Sequence, residues 1–123
     1  MLSQCSLGAS ASEKAEAGRI SRAIDQLRDA PNPEKAALLD ALKAVPCETA
    51  ELCELQRSCV DGFGQHVFAL AETSRAKSLM TTPEGSAEAA RILDFAQSEL
   101  SEAAPKINHC ATTQGATKRK YKL

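Results

Sequence analysis

The chain has no tryptophan, one tyrosine and two histidines in 123 residues, which leaves few side chains for chemistry. No CxxC, HxxxH or CxxCH spacing occurs, so the usual metal and haem signatures are missing. Glycine-rich phosphate loops, GxSxG and Walker patterns are also absent. Carboxylate pairs such as Glu84 with Glu88 and Glu99 with Glu102 fall at helical-surface spacing and read as solvated faces. No catalytic residue, cofactor or enzymatic activity is therefore expected. No apolar run approaches the roughly 18 residues that a membrane span requires. Residues 1 to 10 lack the basic and apolar regions of an export signal.

Large aliphatics are scarce too. Leu, Ile, Val and Phe together number 23, whereas alanine alone numbers 22. Such a composition suits helices that approach closely through small side chains around a thin core. The net charge is only -1, so the low aliphatic count does not come with the self-repulsion that marks disorder. Four positives, Lys118, Arg119, Lys120 and Lys122, sit in the last seven residues, and a flexible basic tail is expected over 113–123. It offers at most a weak contact with anionic surfaces, and nucleic acid is not an expected partner.

Helix signals are plentiful. Ser10 to Glu13 forms a capping box ahead of Ala17, Ile20, Ala23, Ile24 and Leu27, predicting a first helix to about Asp29. Asn32 as N-cap and Pro33 in the first turn open a second, short helix that ends before Pro46. A third runs from about Cys47 to Leu79, with Cys53, Val60 and Val67 in one heptad row and Phe63 and Leu70 in another. Gly62 and Gly64 either allow close approach of a neighbouring helix, the favoured reading, or mark a bend. Thr82 and Pro83 open the fourth helix, which Pro105 should kink or end. The expected fold is all-α, either an antiparallel up-down four-helix bundle or a long helical hairpin with two shorter helices packed on it. The expected organisation is a flexible 1–9, a helical domain over 10–112, and the tail.

What the chain does have is five cysteines. Cys53 and Cys59 are about 9 Å apart along one helix and on different faces, so they cannot bond while both are helical. If the third and fourth helices fold back about residue 81, Cys53 lies level with residue 109, and Cys53 with Cys110 is the register-favoured disulfide. The alternative pairs Cys47 with Cys53 and Cys59 with Cys110. It requires Cys47 to precede a late-starting helix and the fourth helix to shift by about 10 Å, which only a redirection at Pro105 would allow. No metal site is expected; an alternative reading gathers Cys53, His109 and Cys110 around one. His66 and His109 lie too far apart in the hairpin to share a site, and His66 reads as a packed helical residue.

Pro46-Cys47, the run from Leu52-Cys53 through Cys59-Val60, and Gln65 to Leu70 resemble uncharacterised cysteine-containing helical proteins and lipoproteins of the Gram-negative cell envelope. The resemblance implies a periplasmic or outer-membrane-associated helical protein and no activity; a protein partner, of unknown identity, is expected separately. Leu2-Ser3-Gln4-Cys5 is loosely like the end of a lipoprotein signal, which makes Cys5 a candidate lipidation site. The function expected is a non-enzymatic, disulfide-stabilised helical module with a structural or protein-binding role; the alternative is a metal- or redox-responsive protein using Cys53, Cys110 and His109.

Overall fold

The computed structural model describes residues 10–123 and, among them, contains helices and no strand. Helix α1 spans Ala11–Asp29, a single 3-10 turn Asn32–Glu34, α2 Lys35–Ala44, α3 Ala50–Leu79 and α4 Ser86–Tyr121. The all-helical expectation holds. Its framework is α3 and α4 packed side by side, with α1 and α2 against them.

Local chemistry sets the first two helices. The Ser10 hydroxyl accepts the Glu13 N–H at 3.0 Å, and the Glu13 carboxylate accepts the Ser10 N–H, so the capping box is made as read. Ala17, Ile20, Ile24 and Leu27 are fully buried along one stripe. Asn32 makes no cap; it opens the 3-10 turn, and α2 begins only at Lys35. The buried Lys35 ammonium instead donates to the carbonyls of Leu27 at 2.8 Å and Arg28 at 2.9 Å. A cation at the negative end of α1 satisfies acceptors that the last turn leaves open.

The α3/α4 seam is built from small residues. On α3 the buried positions are Leu52, Leu55, Cys59, Gly62, Phe63, Ala69 and Ala76. On α4, Ala89, Ala96, Ala103, Cys110 and Thr117 are buried at seven-residue intervals, which keeps one stripe facing one partner. The backbones come close enough that a Cβ on Gly62 would lie 3.0 Å from the Ile107 nitrogen and the Lys106 carbonyl carbon. Gly64 has no such neighbour, so close approach explains one of the two glycines. Of the expected heptad rows Phe63 is buried in the core, whereas Val60 and Val67 are only partly buried against it and Leu70 is half-buried at its edge.

Three further expectations are corrected. Helix α3 starts at Ala50 rather than Cys47, because Val45 to Thr49 runs extended. Thr82 does not cap α4; its hydroxyl accepts the Gly85 N–H at 3.2 Å inside a longer turn, and the helix starts at Ser86. Pro105 neither ends nor replaces the helix, which continues to Tyr121. Both Ser101 and Pro105 are exposed, so the carbonyl that loses its partner faces water.

The basic segment 113–123 is correspondingly part of α4, not a flexible tail. Gln114, Thr117 and Tyr121 are buried. The Gln114 amide donates to the Ser21 carbonyl at 3.1 Å, the Ser21 hydroxyl at 3.0 Å and the Asp25 carboxylate at 2.9 Å, pinning α4 to α1. Of the four cations, Lys118 pairs with Asp25 at 3.2 Å and Lys120 pairs with Glu51. The helix closes with Lys122 in the left-handed region and the Leu123 N–H on the Lys118 carbonyl at 3.0 Å.

Two apolar clusters result. The larger joins α1 and α2 to the open end of the hairpin, through residues such as Ile24, Leu42, Leu55, Cys59, Cys110 and Tyr121. The smaller, Ala76, Ala89 and Ile92 with Leu79 and Leu93, lies near the turn and draws on α3 and α4 alone.

Candidate functional site

The cysteines pair as Cys47 with Cys53 and Cys59 with Cys110. The register-favoured bond between Cys53 and Cys110 is not made. The cause is the position of the turn: the Cys59–Cys110 pair and the contact of Gly62 with Lys106 both centre the reversal near Glu84 and Gly85. Moving the centre three residues beyond residue 81 shifts the register by about 10 Å. The shift comes from the six-residue turn Met80 to Gly85, with α4 continuous through Pro105.

The two bonds differ in setting. Cys59 and Cys110 have no exposed surface and sit in the seam between α3 and α4. Cys47 and Cys53 are only half-buried, one in the extended linker and one in the first turn of α3. Two polar clasps hold that linker independently of the disulfide. The buried Glu16 carboxylate accepts the Glu48 N–H, the Thr49 N–H at 3.1 Å and the Thr49 hydroxyl at 2.8 Å. The Gln56 amide donates to the carbonyls of Leu42 at 2.8 Å and Val45 at 2.7 Å, closing the end of α2.

Burial alone would push the Glu16 carboxyl up, but the hydrogen bonds from Glu48 and Thr49, with Arg19 nearby, hold it below the usual carboxylate range. At Glu51 the hydrogen bond from Lys120 lowers the carboxyl most, against burial, and the Tyr121 hydroxyl adds to it at 3.1 Å. For Asp25, desolvation opposes and Gln114 and Lys118 prevail, again downward. Sequence reasoning missed Glu16, although it is in helical phase with Ile20, Ile24 and Leu27. An ionisable residue on an apolar stripe was the available signal.

The metal alternative fails on this geometry. Cys53 and Cys110 belong to different disulfides, His109 is exposed, and among the described residues no three His, Cys, Asp or Glu side chains group as a metal site. His66 sits half-buried between α3 and α4 near Leu100, Ala104 and Ile107. Desolvation, then the Lys35 charge, lowers its pKa. Cys5, the candidate lipidation site, lies outside the described residues. Among those residues no helix is long and apolar enough to cross a membrane.

The remaining feature is the half of the hairpin nearest the turn, which α2 covers only along one edge, beside Val67 and Leu70. Phe68 and Phe95 meet there edge to face, with centroids 6.1 Å apart, yet both are about half exposed, 48% and 50%. Met80 is exposed at the turn. Residues 65–105 carry Arg75, Lys77 and Arg91 against Glu72, Glu84, Glu88, Asp94, Glu99 and Glu102, three positives to six negatives. This stretch is net negative, opposite in sign to the lysine-rich end of α4, while the depression beside Phe68 is lined by Lys43 and Lys106 as well as Asp61 and Glu99. No protein-family model matches the chain, nor does any curated protein or solved structure.

Proposed function

We propose that the chain is a non-enzymatic helical module of the bacterial cell envelope, arranged up and down, whose hairpin half nearest the turn docks a protein partner. The observation that carries this reading is the half-exposed Phe68/Phe95 pair on a stretch of net negative charge. The edge-to-face contact ties α3 to α4, yet it leaves half of each ring in water, and exposed aromatics rimmed by polar side chains suit the centre of an interface. The partner that fits is a basic amphipathic helix or strand, with apolar side chains to cover the rings and Lys or Arg to meet Glu99 and Glu102. The two disulfides support an oxidising compartment, which agrees with the envelope resemblance and with a periplasmic or outer-membrane-associated location.

A Leu/Lys amphipathic peptide titrated into the protein by calorimetry tests the surface. Binding that weakens at least tenfold in Phe68→Ser/Phe95→Ser, and weakens with salt, supports the docking face. Binding indifferent to the two rings would refute it, and so would self-association of the parent chain through the same rings, read by sedimentation. For the compartment, a thiol count on denatured, unreduced protein from its native source should find at most one free thiol; four or five would remove the envelope reading.

A further inference from the structure

The two disulfides are unequal, and we propose that Cys47–Cys53 is a site of thiol–disulfide exchange with dithiol reductants while Cys59–Cys110 is a closed structural bond. This inference does not depend on the docking face. Exchange requires a thiolate to approach one sulfur in line with the bond. Both residues of the first pair are partly open to solvent, whereas both of the second have no exposed surface.

Position assigns direction to the exchange. Cys47 lies outside any helix, and Cys53 lies in the first turn of the 30-residue α3, with its N–H on the Thr49 carbonyl at 2.9 Å. The positive end of that helix favours a thiolate at Cys53, which makes its sulfur the better leaving group. Of the carboxylates around that end, Glu51 pairs with Lys120, Glu54 pairs with Arg57, and Glu16 is taken up by the N–H groups of Glu48 and Thr49. The reductant's thiolate attacks the Cys47 sulfur, the S–S bond breaks, and its electron pair leaves on the Cys53 sulfur. The reductant's second thiolate then attacks its own sulfur in the mixed disulfide and releases Cys47. Two electrons pass to the chain, two protons are taken up from water as the thiols form, and the reductant leaves as a disulfide.

The fold tolerates the opened bond. Glu16 still holds Glu48 and Thr49, and Gln56 still holds Leu42 and Val45. The loop that the bond closes is only six residues in separation, so opening it returns about half the chain entropy that opening Cys59–Cys110 would. The linker between α2 and α3 thereby gains a pair of thiols without unfolding the module.

The folded protein is treated with increasing dithiothreitol at pH 7, quenched with iodoacetamide and mapped by peptide mass, with the Cys5 peptide read separately. Cys47 and Cys53 should be alkylated at a reductant concentration at least tenfold below that needed for Cys59 and Cys110, while ellipticity at 222 nm stays constant. Simultaneous labelling of all four, or earlier labelling of Cys59 and Cys110, would overturn the assignment. For direction, Cys53 in Cys47→Ser should alkylate faster at pH 7 than Cys47 in Cys53→Ser. The reverse order would refute Cys53 as the leaving sulfur.

Discussion

Gly62 and Gly64 stand two residues apart in α3, and alanine should act on them with opposite signs. In a helix interior, replacing Gly by Ala gains about 1 kcal/mol from lower backbone freedom in the unfolded chain. At Gly64 the new Cβ meets only a Leu39 methyl at 4.0 Å, an ordinary contact, and the gain is kept. At Gly62 it meets the Ile107 nitrogen and the Lys106 carbonyl carbon at 3.0 Å and the Lys106 Cβ at 3.1 Å. Contact at about 3.5 to 4.0 Å then demands that two backbones part by about half an ångström or more. The buried Cys59–Cys110 bond, one turn away, resists that spreading. Overpacking costs about 1 to 3 kcal/mol, and backbone atoms that cannot rotate aside put Gly62 at the upper end. The net loss is about 2 kcal/mol. At roughly 4 °C per kcal/mol for a domain of this size, Gly62→Ala should lower Tm by about 8 °C and Gly64→Ala raise it by about 4 °C. Thermal unfolding by circular dichroism under oxidising conditions reads both. If the two variants melt within about 2 °C of each other, the close approach of α3 and α4 at Gly62 is wrong.

Removing the buried bond with Cys59→Ala/Cys110→Ala opens a separation of 51 residues, which chain entropy values at about 4 kcal/mol, against about 2 kcal/mol for the Cys47–Cys53 bond; urea unfolding of both double variants should preserve that order. Glu16→Gln should lose about 1.5 kcal/mol at pH 7 by weakening the clasp on Glu48 and Thr49. Because the folded pKa of Glu16 lies below its ordinary value of 4.5, this stability is present above about pH 4.5 and is lost as pH falls through the folded value. Urea midpoints at pH 7 and pH 3 should therefore converge for parent and variant, and a gap unchanged at pH 3 would contradict the charged clasp. Leu55→Ala, fully buried, should cost about 3 kcal/mol, whereas Leu70→Ala, at the open edge beside Pro33 and Ala36, should cost about 1 kcal/mol; equal costs would place the core on the wrong face.

Local encoding explains which features were legible. The capping box at Ser10, the apolar stripe of α1 and the end of α2 before Pro46 depend on residues within four positions of each other, and each is found where the sequence puts it. Register depends on the turn, and Thr82-Pro83 has the chemistry of a helix start while making a hydrogen-bonded turn instead. That misplaced centre moved the partner of Cys110 from Cys59 to Cys53. The seam was misread for a related reason: large apolar residues such as Val60, Val67 and Leu70 attract attention, yet close packing selects Gly62, Ala69 and Ala76. Pro105 and the lysine-rich end follow the same logic. Neither can be judged locally, because the neighbouring helices supply buried contacts at Ala103, Cys110, Gln114 and Tyr121 that carry α4 past both.

The Cys59–Cys110 bond also decides how the molecule transmits force. Tension applied between Ser10 and Leu123 runs along α1, α2, the linker and the first turns of α3, crosses at the disulfide, and leaves through the last turns of α4. Residues 60–109 lie off that path. The half of the hairpin nearest the turn, with Phe68 and Phe95 on it, is thus mechanically insulated: a pull that strips α1 and α2 from their core would leave its two arms tied together and their facing surfaces in register.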